Sequence, residues 1–181
     1  PVRQKWFGVA CCPPNIARTL ASLGEYIYFR KDDDLWVNMY VSGETAFRTE
    51  KGTVTITQNT RFPFEGMVHL HIASDTSRPF RLALHVPSYA ANFTLTAGGV
   101  RIQPEIKDGY AYLEDHFADT DITITFDMPA HFTYAHPDVR ADAGKTAIEK
   151  GPLVYCLEEA DNGDHLADIY INTKQPLEET Y

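Results

Sequence analysis

Two adjacent thiols, Cys11 and Cys12, followed at once by Pro13 and Pro14, are the most chemically loaded residues of this chain. The thiolate form of cysteine is a nucleophile and a soft metal ligand, whereas the thiol is a poor one. In a strand, neighbouring side chains point to opposite faces, so an adjacent pair would share no task there. The prolines forbid a strand or a helix interior, because each locks φ, removes an N–H and pushes its predecessor toward extended geometry. The sequence therefore places both sulfurs on a stiff loop that runs straight into a helix N-terminus. The partial positive charge and unpaired N–H groups found there favour a thiolate. At least one activated sulfur is the expectation. Burial as small apolar residues is the bland alternative, and it suits a lone cysteine better than a rigid adjacent pair. A disulfide between them would be strained, since Cα atoms about 3.8 Å apart fall short of the usual span of about 4.4–6.8 Å. Two free thiolates point to zinc, which takes four ligands with sulfur at about 2.3 Å, and this segment supplies two of them.

The elements that position this pair follow from periodicity. Residues 14–24 read as a short helix: Pro14 suits its first turn, Ile16, Leu20 and Leu23 share a face, and Gly24 is a C-terminal stop. Beyond Gly24 the period becomes two. Residues 25–30 and 35–41 read as strands joined by the acidic turn Asp32-Asp33-Asp34, and Gly43 breaks the chain before a run at 45–48. Further alternating runs lie at 53–58, 68–73, 80–86, 93–96, 111–113 and 122–126, bounded by Gly, Pro, Asn or Asp. The fold class expected is all-β, an antiparallel, jelly-roll-like β-sandwich preceded by one short helix. Pro129-Ala130 reads as a joint, 145–150 and 153–158 as strands around Gly151-Pro152, and 173–181 as a loose polar tail. One helix ahead of so many strands reads as the last element of a helical domain upstream. The chain thus divides into 1–24, carrying the Cys-Cys-Pro-Pro loop, a sandwich over 25–130, and 131–181, whose strands complete that sandwich or open a second.

Composition narrows the function classes. The 181 residues include 16 Lys+Arg against 25 Asp+Glu, a formal net charge of −9 with no basic cluster, which argues against nucleic acid as a partner. No apolar run approaches the roughly 20 residues that span a bilayer, and no apolar h-region follows Pro1, so no membrane partner and no signal peptide are expected. Three cysteines are too few for a disulfide scaffold. Reduced thiols favour the cytoplasm, and a metal-held pair is also compatible with a periplasm.

Other residues invite bland readings. His69 and His71 share one face of a strand with Val68, Leu70 and Ile72 on the other; an i, i+2 pair can bind metal, and a half-solvated strand face explains it without one. His131 and His136 flank the joint and read as structural. Cys156 alternates with Val154 and Glu158 and reads as a buried core cysteine. Asp32-Asp33-Asp34 lacks the glycine and distal glutamate of a calcium loop, and Glu158, Glu159 and Asp161 read as a solvated edge.

Trp6-Phe7 leading to Cys11-Cys12-Pro13-Pro14-Asn15, then Arg18, Tyr26 and the strand at 35–41, resembles the beta-L-arabinofuranosidase family, glycoside hydrolase family 127 and its relatives. The run Gly151-Pro152-Leu153-Val154-Tyr155-Cys156-Leu157-Glu158 resembles a second stretch typical of that family. The resemblance spans nearly the whole chain. It implies an upstream (α/α)6 barrel that carries the active site, β-sandwich domains after it, and a chain that begins at the barrel's final helix. It makes Cys11 the nucleophile and a zinc ligand, and Cys12 a second zinc ligand. The implied chemistry is retaining: the Cys11 thiolate attacks the anomeric carbon, water resolves the thioglycosyl intermediate, and a carboxylic acid assists both steps. The remaining zinc ligands, a glutamate and a cysteine, and the general acid lie upstream of the pair. The chain alone is thus expected to be inactive, with zinc absent or weakly held. The partners implied are the barrel and, in the parent enzyme, an arabinofuranoside-type oligosaccharide. A face left bare of the barrel predicts self-association. The alternative is a non-catalytic carbohydrate-binding or structural accessory domain. For it, Trp36, Tyr26, Tyr28, Phe47, Phe62 and Phe64 would form a sugar-stacking platform, although strand aromatics are more often core. Arg18 faces a carboxylate, the sugar or an ordinary surface partner.

Overall fold

The structure is a computed structural model that describes residue 8 and residues 11–50, 52–76 and 79–180. Helix α1 (Cys12–Ser22) opens with Pro13 and Pro14 in its first turn, where the missing N–H groups would have had no intrahelical partner. It starts two residues earlier than the periodicity predicts. Gly24 does not end it in a left-handed turn; it opens one further helical turn, α2 (Gly24–Ile27), with the Tyr26 N–H donating to Leu23 O at 3.1 Å. The strand expected over 25–30 therefore begins only at Tyr28.

Strand β1 (Tyr28–Lys31) pairs with β2 (Asp34–Val37) across the Asp32-Asp33 turn. β2 stops short of the expected residue 41 because the Asn38 and Met39 N–H groups both turn to Ile27 O, at 2.9 and 3.1 Å. Tyr40 then drops into the core. A meander of β3 (Gly43–Thr49), β4 (Gly52–Thr60) and β5 (Met67–Ser74) follows, and the chain returns to the first sheet as β6 (Phe80–His85). Two short hairpins come next: β7 (Asn92–Ala97) with β8 (Val100–Ile102), and β9 (Glu105–Lys107) with β10 (Tyr110–Asp115). Their two-residue turns, Gly98-Gly99 and Asp108-Gly109, have positive φ at both positions, the backbone that matches the right-handed twist of paired strands. Neither β8 nor β9 shows as an alternating run in the sequence. β11 (Asp119–Asp127) then inserts between β5 and β7.

The result is a five-stranded sheet in the order β1-β2-β6-β10-β9 and a six-stranded sheet in the order β3-β4-β5-β11-β7-β8. All pairings are antiparallel except β2 with β6. The all-β sandwich expected from the sequence is the fold observed. Alternation explains it: Leu35 and Val37, Val54 and Ile56, Leu70 and Ile72, Leu82 and Leu84, and Ile122 and Ile124 are all buried in one cluster. Each contributes about 1.5–3 kcal/mol by leaving water. Tyr40 packs edge-on to Phe62 at 5.5 Å and donates its hydroxyl to His85 O at 2.6 Å. Burial holds that phenol far above its ordinary value. Gln58 also lies inside, its Nε2 donating to Tyr28 Oη at 2.8 Å and to Met39 O at 3.2 Å.

After Pro129 the chain forms a separate three-stranded sheet from β12 (His131–Thr133), β13 (Ala147–Lys150) and β14 (Leu153–Tyr155). β14 ends at Tyr155 rather than 158, and residues 159–162 form a single helical turn, α3 (Glu159–Asn162). Cys156 is exposed, not a core cysteine, because a three-stranded sheet is too small to cover the residues just past its edge strand. The tail is not loose up to residue 179. The Glu179 carboxylate accepts the Ala130 N–H at 2.9 Å and pairs with Lys150. Tyr181 lies outside the described residues.

Candidate active-site segment at Cys11 and Cys12

Cys11 is the residue that caps α1, with helical φ −69° and ψ −37°, and Cys12 is the first helical residue. The extended geometry expected before Pro13 is thus not adopted. Both thiols are free and exposed, and their Sγ atoms lie 3.8 Å apart. The pair is neither split across two faces nor bonded as a disulfide, whose sulfurs would be about 2.05 Å apart. Asn15 ties the turn together: its N–H and its side-chain Nδ2 both donate to Cys11 O, at 3.3 and 2.9 Å. Arg18 donates to Asn15 Oδ1 at 2.7 Å, so its partner is the same helix's amide rather than a carboxylate. The donors available to cradle a thiolate are fewer than a generic helix N-terminus offers. Pro13 and Pro14 carry no N–H, and the Asn15 N–H is taken by Cys11 O.

α1 buries none of its residues. Its apolar face is bare, with Ile16 61% and Leu20 66% exposed. The helix therefore keeps its shape through its own hydrogen bonds, which include Thr19 Oγ1 to Asn15 O at 2.9 Å.

The other candidates stay apart from this segment's chemistry. His69 and His71 do share the outer face of β5, opposite buried Val68, Leu70 and Ile72. His69 Nδ1 lies 3.0 Å from Thr123 Oγ1, and His71 Nδ1 lies 2.9 Å from Asp121 Oδ1. His131 contacts Pro129 O at 3.2 Å, and His136 sits in an exposed loop. Asp32-Asp33 is a solvated hairpin turn, while Asp34 takes Arg81 as its partner. Among the aromatics, Tyr28, Phe47 and Phe62 pack against the core, and Tyr26 and Phe64 are exposed at separate places. They form no single platform. No sequence motif singles out Arg81, Tyr110 or Tyr112, which the register brings beside Trp36 on the outer face of the five-stranded sheet. No local signal joins them, because β2 and β6 meet only after three strands of the other sheet intervene.

Residues 34–130 match the family model described as beta-L-arabinofuranosidase, GH127 middle domain, and residues 130–180 match the glycoside hydrolase family 127 C-terminal domain. The chain belongs to glycoside hydrolase family 127. It is 37% identical over 167 residues to a non-reducing end beta-L-arabinofuranosidase of Bifidobacterium longum, covering 88% of this chain and 25% of that protein. Among solved structures, a GH127 beta-L-arabinofuranosidase from Geobacillus stearothermophilus T6 superposes with a TM-score of 0.84 at 42% identity, over 93% of this chain and 27% of that one. A second family 127 beta-arabinofuranosidase gives 0.80 at 30% identity, over 88% and 28%. The chain spans about a quarter of the length of these relatives. Trp6 and Phe7, which carry part of the sequence resemblance, lie outside the described residues.

The sequence resemblance implies zinc on this cysteine pair, and the sulfur geometry can be compared with what zinc needs. A tetrahedral site with zinc–sulfur bonds of about 2.3 Å separates its sulfurs by about 3.8 Å. The Cys11 and Cys12 sulfurs stand 3.8 Å apart, so the pair fits one edge of such a site. Among the described residues no group of three or more His, Cys, Asp or Glu side chains is gathered for a metal. This chain's described residues thus offer two ligands of the four.

Proposed function

We propose that this chain is the β-sandwich region of a retaining family 127 glycoside hydrolase acting on β-L-arabinofuranosides, with Cys11 as nucleophile and Cys11 and Cys12 as zinc ligands. The observation that carries the reading is a pair of exposed thiols 3.8 Å apart in the first turn of a helix, in a chain of this family. When bound, zinc would hold the sulfurs ionised and fixed in direction. Cys11 Sγ attacks the anomeric carbon, the carbon–oxygen bond to the leaving group breaks, and a carboxylic acid protonates the departing oxygen. The resulting carboxylate then takes a proton from water, water oxygen bonds to the anomeric carbon, and the carbon–sulfur bond breaks to return the thiolate. Asn15 fixes the Cys11 carbonyl and so the direction of the turn, and Arg18 holds Asn15.

The acid and two further ligands come from outside the described residues, on an upstream helical barrel whose surface would also cover Ile16 and Leu20. Catalysis by the 181 residues alone is therefore absent. The test compares this chain with a version extended upstream, measuring bound zinc by elemental analysis and hydrolysis of an aryl β-L-arabinofuranoside. Activity and one zinc in the extended form only, both lost in Cys11→Ser, are expected. Full activity in the short chain, or an extended Cys11→Ser variant that still turns over, overturns the reading.

A further inference from the structure

We propose that the outer face of the five-stranded sheet is a glycan-binding surface, distinct from the cysteine pair, that stacks a chain of neutral sugar rings along a row of aromatics. The register sets the row. Phe29 lies opposite Trp36, Trp36 opposite Ala83, and Ala83 opposite Tyr112, in four strands side by side. Core residues alternate with these positions, so all four side chains leave the sheet on the face away from the core cluster. Ala83 is nevertheless only 1% exposed, because it forms the floor between Trp36 and Tyr112, whose Nε1 and Oη atoms lie 3.5 Å apart. Phe29, at the open end, is 45% exposed. Three strand spacings of about 4.8 Å make the row about 14 Å long, room for about two or three sugar residues.

Polar groups flank the row on both sides and are already fixed. On one side Arg81 donates from Nε to Asp34 Oδ2 at 3.0 Å and lies 5.6 Å over the Tyr112 ring, with Glu114 next across the sheet. On the other, Tyr110 donates to Asn38 Oδ1 at 2.7 Å and packs against His85 at 5.4 Å. Apolar ring faces with hydrogen-bonding groups at their edges complement a sugar, which has apolar C–H faces and a rim of hydroxyls. Arg81 and the aromatics would suit a protein interface as well, but Asp34, Ala83 and Glu114 are residue types depleted there, which favours a sugar over a second protein surface. Rings braced before binding also lose little freedom when a ligand arrives.

The test is native affinity electrophoresis of the protein in gels containing soluble arabinan, with dextran gels as the comparison. Arabinan should retard the wild type, and Trp36→Ala should weaken binding about tenfold, the loss of one well-packed aromatic contact. Phe29→Ala, at the exposed end of the row and with its folding checked by the urea midpoint, should weaken it several-fold, and Phe64→Ala, exposed elsewhere, should not. Cys11→Ser must leave retardation unchanged, which separates this surface from the proposed active site. No retardation by arabinan, equal retardation of wild type and both row variants, or self-association that Trp36→Ala abolishes would each overturn the proposal.

Discussion

Gly66 sets a sharp test of how the sandwich is held. It lies in the turn before β5, and its carbonyl accepts the Phe126 N–H of β11 at 2.9 Å. A Cβ at this position would overlap the Phe126 carbonyl oxygen and sit 3.1 Å from its carbonyl carbon. Both colliding groups are backbone, so no rotamer change relieves them. Separating them takes a shift on the order of 1 Å in β11, which is paired to β5 on one side and β7 on the other. Overpacking of side chains costs about 1–3 kcal/mol, and a backbone collision in a doubly paired strand falls at or beyond the upper end. Gly66→Ala also stiffens the unfolded chain, which returns about 0.4–1 kcal/mol. The net loss is about 2–3 kcal/mol, a large share of a domain stability of about 5–15 kcal/mol. With a urea slope of about 2 kcal/mol/M, the unfolding midpoint should fall by about 1–1.5 M. The assay is urea titration by tryptophan fluorescence, alongside Gly43→Ala as a contrast, whose added Cβ meets nothing within 4 Å and whose backbone lies outside the left-handed region. A Gly66→Ala midpoint within about 0.3 M of wild type refutes the claim that this contact is rigid.

Three further outcomes follow from the structure. Tyr40→Phe removes the hydroxyl that donates to His85 O at 2.6 Å and should cost about 1–2 kcal/mol in urea unfolding while leaving the aromatic cluster intact. Burial lowers the His85 pKa from 6.5, so the unfolded chain binds its proton more readily. That contribution to stability is fully present above pH 6.5 and lost as pH falls toward the folded value. His85→Gln should therefore flatten the fall in urea midpoint below pH 6.5. α1 has 11 residues and buries none, so its amides should exchange with deuterium far faster than those of β5 and β11. Protection of α1 in this chain equal to that of the core strands would contradict this, because isolated helices shorter than about 12–15 residues are marginal in water.

The alternation of apolar residues at 68, 70 and 72 and at 122, 124 and 126 is enough to predict β5, β11 and the layer they form. Turn chemistry is equally readable: Gly98-Gly99 and Asp108-Gly109 are two-residue hairpin signals, and they join the four strands β7 to β10, two of which alternation alone does not reveal. Gly24 misleads for the opposite reason. Glycine permits a left-handed stop without requiring one, and here the backbone continues as helix. Cys156 fails as a core residue because alternation reports a buried face only where a second layer covers the sheet. Which layers exist is a property of the whole fold. At the cysteine pair, residue type and adjacency are legible, and so is a point against the N-terminal cradle, since two of the first-turn residues are prolines without N–H groups.

These observations separate the two halves of the molecule's logic. The sandwich carries its own core, so its surfaces, the aromatic row included, are defined by this chain. The cysteine turn is different. Its internal bonds from Asn15, Arg18 and Thr19 fix the local geometry of the sulfurs, but no buried residue anchors α1 to the sheets. A nucleophile must hold its direction to within a fraction of an ångström to gain from proximity, and a helix that buries none of its residues does not hold it. Under the proposed function, the surface that covers Ile16 and Leu20 therefore does more than supply missing ligands: by burying that apolar face it fixes the thiolates in place. Adding back ligands in trans without that cover should restore zinc binding at best, and not turnover.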